Sequence, residues 1–581
     1  MTPRRARRFH LVVFPGLFAV LLLLVYSVSR TGFPPWGDGL EFAAVSSHLG
    51  VAHPPGYPLY TLLGWLLQWP AAGPYLGLLF INAAAAAAIG WCTFLILRRL
   101  LQGAGWTDCA AANPAITTAL ILALSAPVGA ALFVAEVYLL HAALLLAVVM
   151  MLLEAGQRTG PDRHRLLAAS GAVLGLALSH QLPALALLPL FAIVLWRLSI
   201  QENSSPVPKA AIALPVVLLI LIPLLLYGTL PLRAGEHGIY WGGVHTPAGL
   251  LEHVRGGEYG QYRLLQERPG VTFRIDTWTP FAAARTVDIV RHFGSLVFGL
   301  GPTAILAGLA SLGLLAFGTA RALRAGMDKF FLAGLYTAIA LKTAFVLVYN
   351  IRDIDDYYLP IFVLVGPLLG FGLLEALREA DRRLLERHRG KLLAAVPAFL
   401  VLACLLRLTF QMGEHRIQRT MAEDWKDRVL AELPEGAALV TVGDADLYTM
   451  WYLQFARKEQ TGVFVFGANF IRFPWFRTSL PPDDPRREAV AFHPGEPGTM
   501  DDFLGQVSTS VFEPLLEHGP VYTTMSSPPE IQWLSRRFEV REVEPLLGPR
   551  EFEAMEALGL VNVPPPVLYE IRPLEGGSAA P

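Results

Sequence analysis

Asp38 and Glu41 stand three residues apart, so on one turn of helix their carboxylates share a face. Paired acids are the residue types for moving a proton: one takes it from a nucleophile while its neighbour supports it. The plainer alternative is a solvated helix cap. Behind the pair runs Gly50–Tyr60, in which Pro54, Pro55 and Pro58 fix the backbone and His53 and Tyr57 offer polar and aromatic contacts. His53 alone reads as readily as a structural hydrogen-bonder. Glu136 falls in a tight turn between two apolar runs, where a carboxylate is functional by default or else snorkels into water. His180 ends a further run, as a packing or a binding residue. Arg233 opens a long loop, and Arg352, Asp353, Asp355 and Asp356 cap a later run. Guanidinium matches phosphate bidentately, which makes Arg233 and Arg352 candidates for holding a departing phosphate. Tyr240 and Trp241 are platforms for a sugar ring or anchors at a membrane interface.

The elements that must position these groups are largely membrane spans. Of 581 residues, 54% are hydrophobic and only 16% charged, which excludes disorder and a single water-soluble domain. A formal net charge of -1 provides no global basic field for nucleic acid. The three cysteines, Cys92, Cys109 and Cys404, show neither zinc-site nor disulfide spacing.

The run Leu11–Val28 is long enough for about 30 Å of hydrocarbon and lacks a small-x-small cleavage site, so it reads as a retained anchor. Further spans are expected near 75–97, 115–134, 137–154, 166–181, 184–196, 210–229, 298–319, 330–350, 358–378 and 392–410, giving about 11 transmembrane helices. The positive-inside rule supports this order. Arg98 and Arg99, Arg158, Arg163 and Arg165, Arg197 and Lys209, Arg321, Arg324 and Lys329, and the cluster from Arg382 to Lys391 all fall on one side. The N-terminus is then cytoplasmic, and the groups named above gather at the opposite, outer surface. Tyr57–Trp69 is too short to cross and is expected to lie in the interface, within a structured outer loop of 30–74. The second outer loop, 230–297, has room for amphipathic helices around 247–256 and 281–295. Ala83–Ala88 marks a close helix-packing face.

Residues 1–410 therefore form the membrane domain and 411–581 a soluble extracytoplasmic α/β domain. The tail carries 15 Lys and Arg against 26 Asp and Glu. Ala438–Val442, Val463–Phe466 and Val521–Thr524 read as strands, and Ala445–Phe455 as a helix. Val442-Gly443-Asp444 lies where a strand passes into a helix, a common ligand position whose simpler reading is an N-capping aspartate.

Asp38-Gly39-Leu40-Glu41-Phe42 followed by Gly50-Val51-Ala52-His53-Pro54-Pro55-Gly56-Tyr57-Pro58-Leu59-Tyr60 resembles the signature of the domain of unknown function 2723 family, which includes transmembrane-protein-260-type O-mannosyltransferases. Glu136-Val137-Tyr138, Gly175-Leu176 with His180, Leu230-Pro231-Leu232-Arg233, Trp241-Gly242, and Tyr349-Asn350-Ile351 with Asp353, Asp355, Tyr357 and Pro360 follow in the family's order. The resemblance implies an α-helical polytopic membrane protein of GT-C-like fold, a glycosyltransferase using a polyprenyl-phosphate sugar donor. It makes Asp38 the catalytic base with Glu41 and Glu136 as its supports. His53, Tyr57, His180, Arg233, Trp241, Arg352, Asp353 and Asp355 become substrate-binding residues. The pattern departs from the family at Leu40 and at Tyr240-Trp241-Gly242-Gly243, where the family tends to have Asn-Trp-Gly-Asp. No cofactor is expected. A metal ion beside Asp353 and Asp355 is an alternative that relatives using lipid-monophosphate donors often do without.

The expected protein is thus an inverting glycosyltransferase of the bacterial inner membrane, acting at its outer face on a protein or glycan acceptor, with the bilayer and a lipid donor as partners and no nucleic acid. The rivals are a transporter or lipid flippase, which calls for ionisable groups at mid-membrane depth where only Lys342 lies, and an envelope sensor, which needs far fewer spans.

Overall fold

The structure is a computed structural model. It describes residues 3–29, 32–71, 73–201, 209–233, 235–257, 303–349, 354–384, 390–495, 498–545 and 567–574, with isolated positions at 286–287 and 290. The chain divides into two compact units: residues 1–28, 79–228 and 258–414 in the first, and 29–78, 229–257 and 415–581 in the second.

The first unit is built of apolar helices, and this is a multi-pass membrane protein. Among the described residues, eight helices are long and apolar enough to cross a membrane, and the bent pair Ala110–Ala123 and Ala126–Leu132 makes a ninth if counted as one span. Helices also occupy the two remaining expected positions. Gly160–His180 opens with Asp162, Arg163, His164 and Arg165, and Leu182–Leu198 is short, so neither reaches the apolar length of the others. The expected amphipathic helix at 247–256 is present as Pro247–Arg255; the one at 281–295 lies almost wholly outside the described residues.

Backbone and side-chain polar groups in an apolar medium must find partners inside the protein. The 54° bend of the pair occurs beside Pro127, which has no N–H for the carbonyl of Ala123, and Gln411 Nε2 donates to the carbonyl of Ala126 at 2.7 Å. Buried Asn82 donates from Nδ2 to the carbonyls of Ala131 (2.9 Å) and Val134 (2.6 Å), which fixes the turn that carries Glu136. Glu375 is fully buried and accepts from Trp106 Nε1 at 2.7 Å and Arg321 Nε at 2.9 Å. Close packing relies on small residues: a side chain at Gly90 would press on Phe14 and Ala123, beside the alanine run 83–88. The C-terminal end of Lys329–Val348 packs Val346 with Ile354, Tyr358, Ile361, Phe362 and Val365 in one apolar cluster.

In the second unit, the part after residue 437 forms a five-stranded sheet. Its strands are β1 (Ala438–Thr441), β2 (Phe464–Gly467), β3 (Val521–Thr523), β4 (Phe538–Pro545) and β5 (Val567–Pro573), in the spatial order β2-β1-β3-β5-β4. The three strands expected from sequence pair in parallel and are buried throughout, as parallel strands covered on both faces should be. β4 and β5 are antiparallel additions. Helix Asp38–His48 packs against Pro58–Ala71 and against the helical stretch Asp444–Arg457 of the tail. Arg419 Nη2 donates to the carbonyls of Ser29 (2.8 Å) and Gly32 (2.9 Å), and Trp36 meets Trp425 edge-on at 6.5 Å. Pro58–Ala71 has 14 residues, too few to cross, and leaves Trp69 exposed.

Glu375→Ala strands Arg321 and the Trp106 indole, and is expected to cost roughly 2 kcal/mol and lower the melting temperature of the detergent-solubilised protein. Glu379→Ala removes only exposed pairs with Arg382 and Arg383 and should leave the melting curve within about 0.5 kcal/mol of the parent. Equal melting shifts would refute this reading of the buried acid.

Candidate active site

Helix Asp38–His48 begins at Gly37, whose φ of 125° is open to glycine and strained for other residues. The helix places Asp38 and Glu41 in its first turn and turns them to different surroundings. Glu41 is fully buried, whereas the Asp38 side chain keeps 38% of its surface. His53 lies between them. Its backbone N–H donates to Glu41 Oε1 at 2.8 Å, its Nδ1 lies 2.5 Å from Glu41 Oε2, and its Nε2 lies 3.7 Å from Asp38 Oδ2. The three groups form a line running from the interior to the exposed carboxylate.

Burial of the His53 ring disfavours its charge. The Glu41 carboxylate, its hydrogen bond, Asp38 and Asp444 together outweigh that cost and hold His53 up at about 9, so the ring is an imidazolium at neutral pH. Asp444, at the start of helix Asp444–Trp451, brings the tail's strand-to-helix junction into the field of this histidine. Gly443 rather than Asp444 holds the capping position.

Aromatic rings enclose the pair. Phe42 lies 5.2 Å from the His53 ring and 5.3 Å from Tyr57 and from Tyr60; Tyr57 itself is 5.2 Å from His53. Trp241 is 6.0 Å from His53 and packs on Trp475 at 4.8 Å and edge-on to Phe470 at 5.1 Å. Among the described residues its buried indole N–H has no hydrogen-bond partner. Trp241 is placed by a short parallel bridge: Val51 N–H donates to the Ile239 carbonyl at 2.9 Å, and Trp241 N–H to the Val51 carbonyl at 3.2 Å. His48 Nε2 accepts from Ile239 N–H at 3.1 Å, and burial, with Lys458 and His237 nearby, lowers His48 to about 4, which keeps the ring neutral and able to accept. The block His53–Tyr57 turns through Gly56, at φ 88°, where a Cβ would meet Leu230 at 2.8 Å and His253 at 3.1 Å. Arg233 gives Nη1 to Thr61 Oγ1 at 2.8 Å and Nη2 to the Pro58 carbonyl at 3.2 Å, so two of its N–H groups secure the helix that follows this turn.

The second unit therefore brings together Asp38, Glu41, His53, Tyr57, Arg233 and Trp241. Glu136 and His180 belong to the first unit, where His180 Nε2 donates to the Val137 carbonyl at 2.8 Å and so braces the turn Glu136–Tyr138. Arg352 and Asp353 lie outside the described residues, as does the side chain of Asp355. Sequence reasoning missed His48, His253, Phe470 and Trp475 around the site. Nothing in their local sequence marks them, because each works through residues remote in the chain. It also missed His141, on Tyr138–Ala155, whose Nε2 lies 2.9 Å from the Nζ of buried Lys342.

Comparison with known proteins fits this geometry. Residues 38–204, which begin at the first carboxylate, match the N-terminal domain of protein O-mannosyl-transferase TMEM260. A 52-residue stretch is 38% identical to the protein O-mannosyl-transferase tmem260 of Dictyostelium discoideum; that stretch is 9% of this chain and spans only 6% of the relative's length. Over the whole chain the fold resembles ArnT from Cupriavidus metallidurans, with a TM-score of 0.55, 14% identity, and coverage of 98% of this chain and 99% of ArnT, in a crystal structure of ArnT bound to undecaprenyl phosphate. The apo form of ArnT gives a TM-score of 0.56 at 13% identity, covering 96% and 97% of the two chains. The chain thus resembles the TMEM260 family over residues 38–204, opening on the Asp38–Glu41 helix, and resembles ArnT in fold over nearly its full length.

Proposed function

We propose that the protein is an inverting membrane glycosyltransferase that moves a sugar from a polyprenyl-phosphate donor to a hydroxyl acceptor. The line Glu41–His53–Asp38 carries the reading: a buried acid orients a protonated imidazole, and that imidazole faces an exposed carboxylate. The likeness to the O-mannosyl-transferase family supports it, as does the fold shared with a protein that binds undecaprenyl phosphate.

In this mechanism Asp38 takes the proton of the acceptor hydroxyl as its oxygen attacks the anomeric carbon. The bond from that carbon to the phosphate oxygen breaks, and polyprenyl phosphate leaves with the electron pair. His53 faces Asp38 at 3.7 Å, and Asp38 stands in the first turn of its helix, where the helix dipole favours a carboxylate. Glu41 fixes the ring through both the backbone and Nδ1. The Trp241 face and its unpaired N–H suit a sugar ring with a hydroxyl at its edge, and Tyr57 adds a second aromatic wall. Arg233 is assigned to the phosphate through the donors it does not spend on Thr61 and Pro58. The roles of Glu136, His180, Arg352, Asp353 and Asp355 remain assignments from sequence. The acceptor is a protein hydroxyl or an envelope glycan, and the reaction is assigned to the outer face of a bacterial inner membrane.

Purified protein supplied with a polyprenyl-phosphate sugar should release or transfer the sugar, and Asp38→Asn should lower turnover by about 10²–10⁴-fold while the protein melts normally. Full turnover by Asp38→Asn would remove Asp38 as the base, and a lipid-linked sugar left chemically intact by the wild type would favour a transporter. A separate expectation concerns pH. His53 is raised in the folded state from the ordinary 6.5 to about 9, so its stabilising contribution is complete below pH 6.5 and is lost as the pH climbs through 9. Melting temperature should therefore fall between pH 7 and 10 in the wild type, and fall less in His53→Gln. Parallel curves for the two proteins would count against the charged pair.

A further inference from the structure

The first unit contains a cavity of about 490 Å³ that the reaction does not use. Its lining comes from the ends of several helices: Arg99 near the end of Pro74–Gly103, Gln157 just after Tyr138–Ala155, Arg197 in the last turns of Leu188–Gln201, and Asp328 capping Lys329–Val348. This is the end of helix Tyr138–Ala155 opposite to Glu136, where the loops are rich in arginine. The lining is mixed, with Leu100, Leu153, Val194 and Phe331 as its apolar part.

The charge at its mouth is unbalanced. Arg99 gives Nη2 to the neutral Gln157 Oε1 at 2.6 Å, and among the described residues it has no carboxylate partner. Arg197 faces Asp328, but Asp328 is already engaged: Oδ1 accepts the Phe330 N–H at 2.7 Å as a helix cap, and Oδ2 meets only the Nε of Arg197, at 3.4 Å. Among the described residues the Nη groups of Arg197 make no hydrogen bond, its guanidinium lies 5.5 Å from the Phe330 ring, and Arg99, Arg197 and Asp328 sum to one positive charge. Beside them Trp196, half exposed and 5.8 Å from the lining residue Phe330, continues the apolar part of the lining onto the outer surface of its helix. Two arginines over a partly apolar cavity, with an exposed tryptophan beside it on a helix of the membrane-spanning unit, suit one ligand class: a singly charged phosphodiester bearing acyl chains.

We propose that this cavity binds the headgroup of an anionic phospholipid, with Arg99 and Arg197 on the phosphate and the acyl chains leaving past Trp196. The site is separate from the Asp38 site and does not depend on the proposed glycosyl transfer.

Native mass spectrometry of the full chain in neutral detergent tests it, with dioleoylphosphatidylglycerol, dioleoylphosphatidylethanolamine or sodium phosphate added. One phosphatidylglycerol should be retained in preference to phosphatidylethanolamine. Arg99→Gln/Arg197→Gln should lose about tenfold or more of that retention, Arg99→Lys/Arg197→Lys should keep most of it, and Arg165→Gln, an exposed arginine outside the cavity, should match the wild type. Should the double glutamine variant not fold, Leu153→Trp fills the slot with both arginines intact and should also expel the lipid. Undiminished phosphatidylglycerol on Leu153→Trp or on the glutamine variant would overturn the assignment. So would equal retention of the zwitterionic lipid, or displacement of the lipid by sodium phosphate, which would mark a site for a free anion.

Discussion

An ion pair with almost no water around it, His53 on Glu41, sets the terms for the second unit. Burying an imidazolium and a carboxylate is costly unless each is paired and hydrogen-bonded. Glu41 meets that condition by accepting from both the backbone and the ring of the same residue. The pairing demands that the loop from Gly50 to Tyr57 return onto the first turn of helix Asp38–His48, and the glycine at positive φ and the prolines make the return sharp enough. The aromatic rings of Phe42, Tyr57 and Trp241 then keep water off the pair, which strengthens the attraction between its members.

Asp38 is the member of this group that remains exposed, and the contrast with Glu41 is the chemically informative one. Two carboxylates one helical turn apart would otherwise be near-equivalent. The fold separates them by environment, leaving one as an interior anchor for the imidazole and the other as the group a substrate can reach. The tail takes part in this arrangement. Asp444 adds to the field at His53, Trp475 and Phe470 back Trp241, and Ser47 Oγ donates to the Phe455 carbonyl at 3.1 Å.

In the first unit the governing condition is different. Polar groups among apolar helices find partners inside the protein: Asn82, Gln411 and His180 donate to backbone carbonyls, and Glu375 accepts from Trp106 and Arg321. Lys342 fits the same pattern through His141. The arginine-rich helix ends are the place where this economy relaxes and charge is left to meet something from outside the protein.

The sequence by itself determined the helices, because runs of some twenty apolar residues have no stable alternative in a bilayer, and the three parallel strands, because short β-branched and aromatic runs bounded by turn residues are strongly local signals. It also marked the Asp38–Glu41 pair and the histidine-diproline block. The antiparallel strands β4 and β5 were not legible: Phe538–Pro545 mixes apolar and charged residues, and such a run becomes a strand only when a partner is present to take its hydrogen bonds. Tertiary structure alone decided that His53 is charged, that Glu41 rather than Asp38 is its buried partner, that Arg233 braces a helix, and that His48, Asp444 and Trp475 gather around the same point. The charge on His53 depends on a loop return that brings it onto Glu41, and the burial around it on groups hundreds of residues apart in the chain, and no local pattern records which of them will meet.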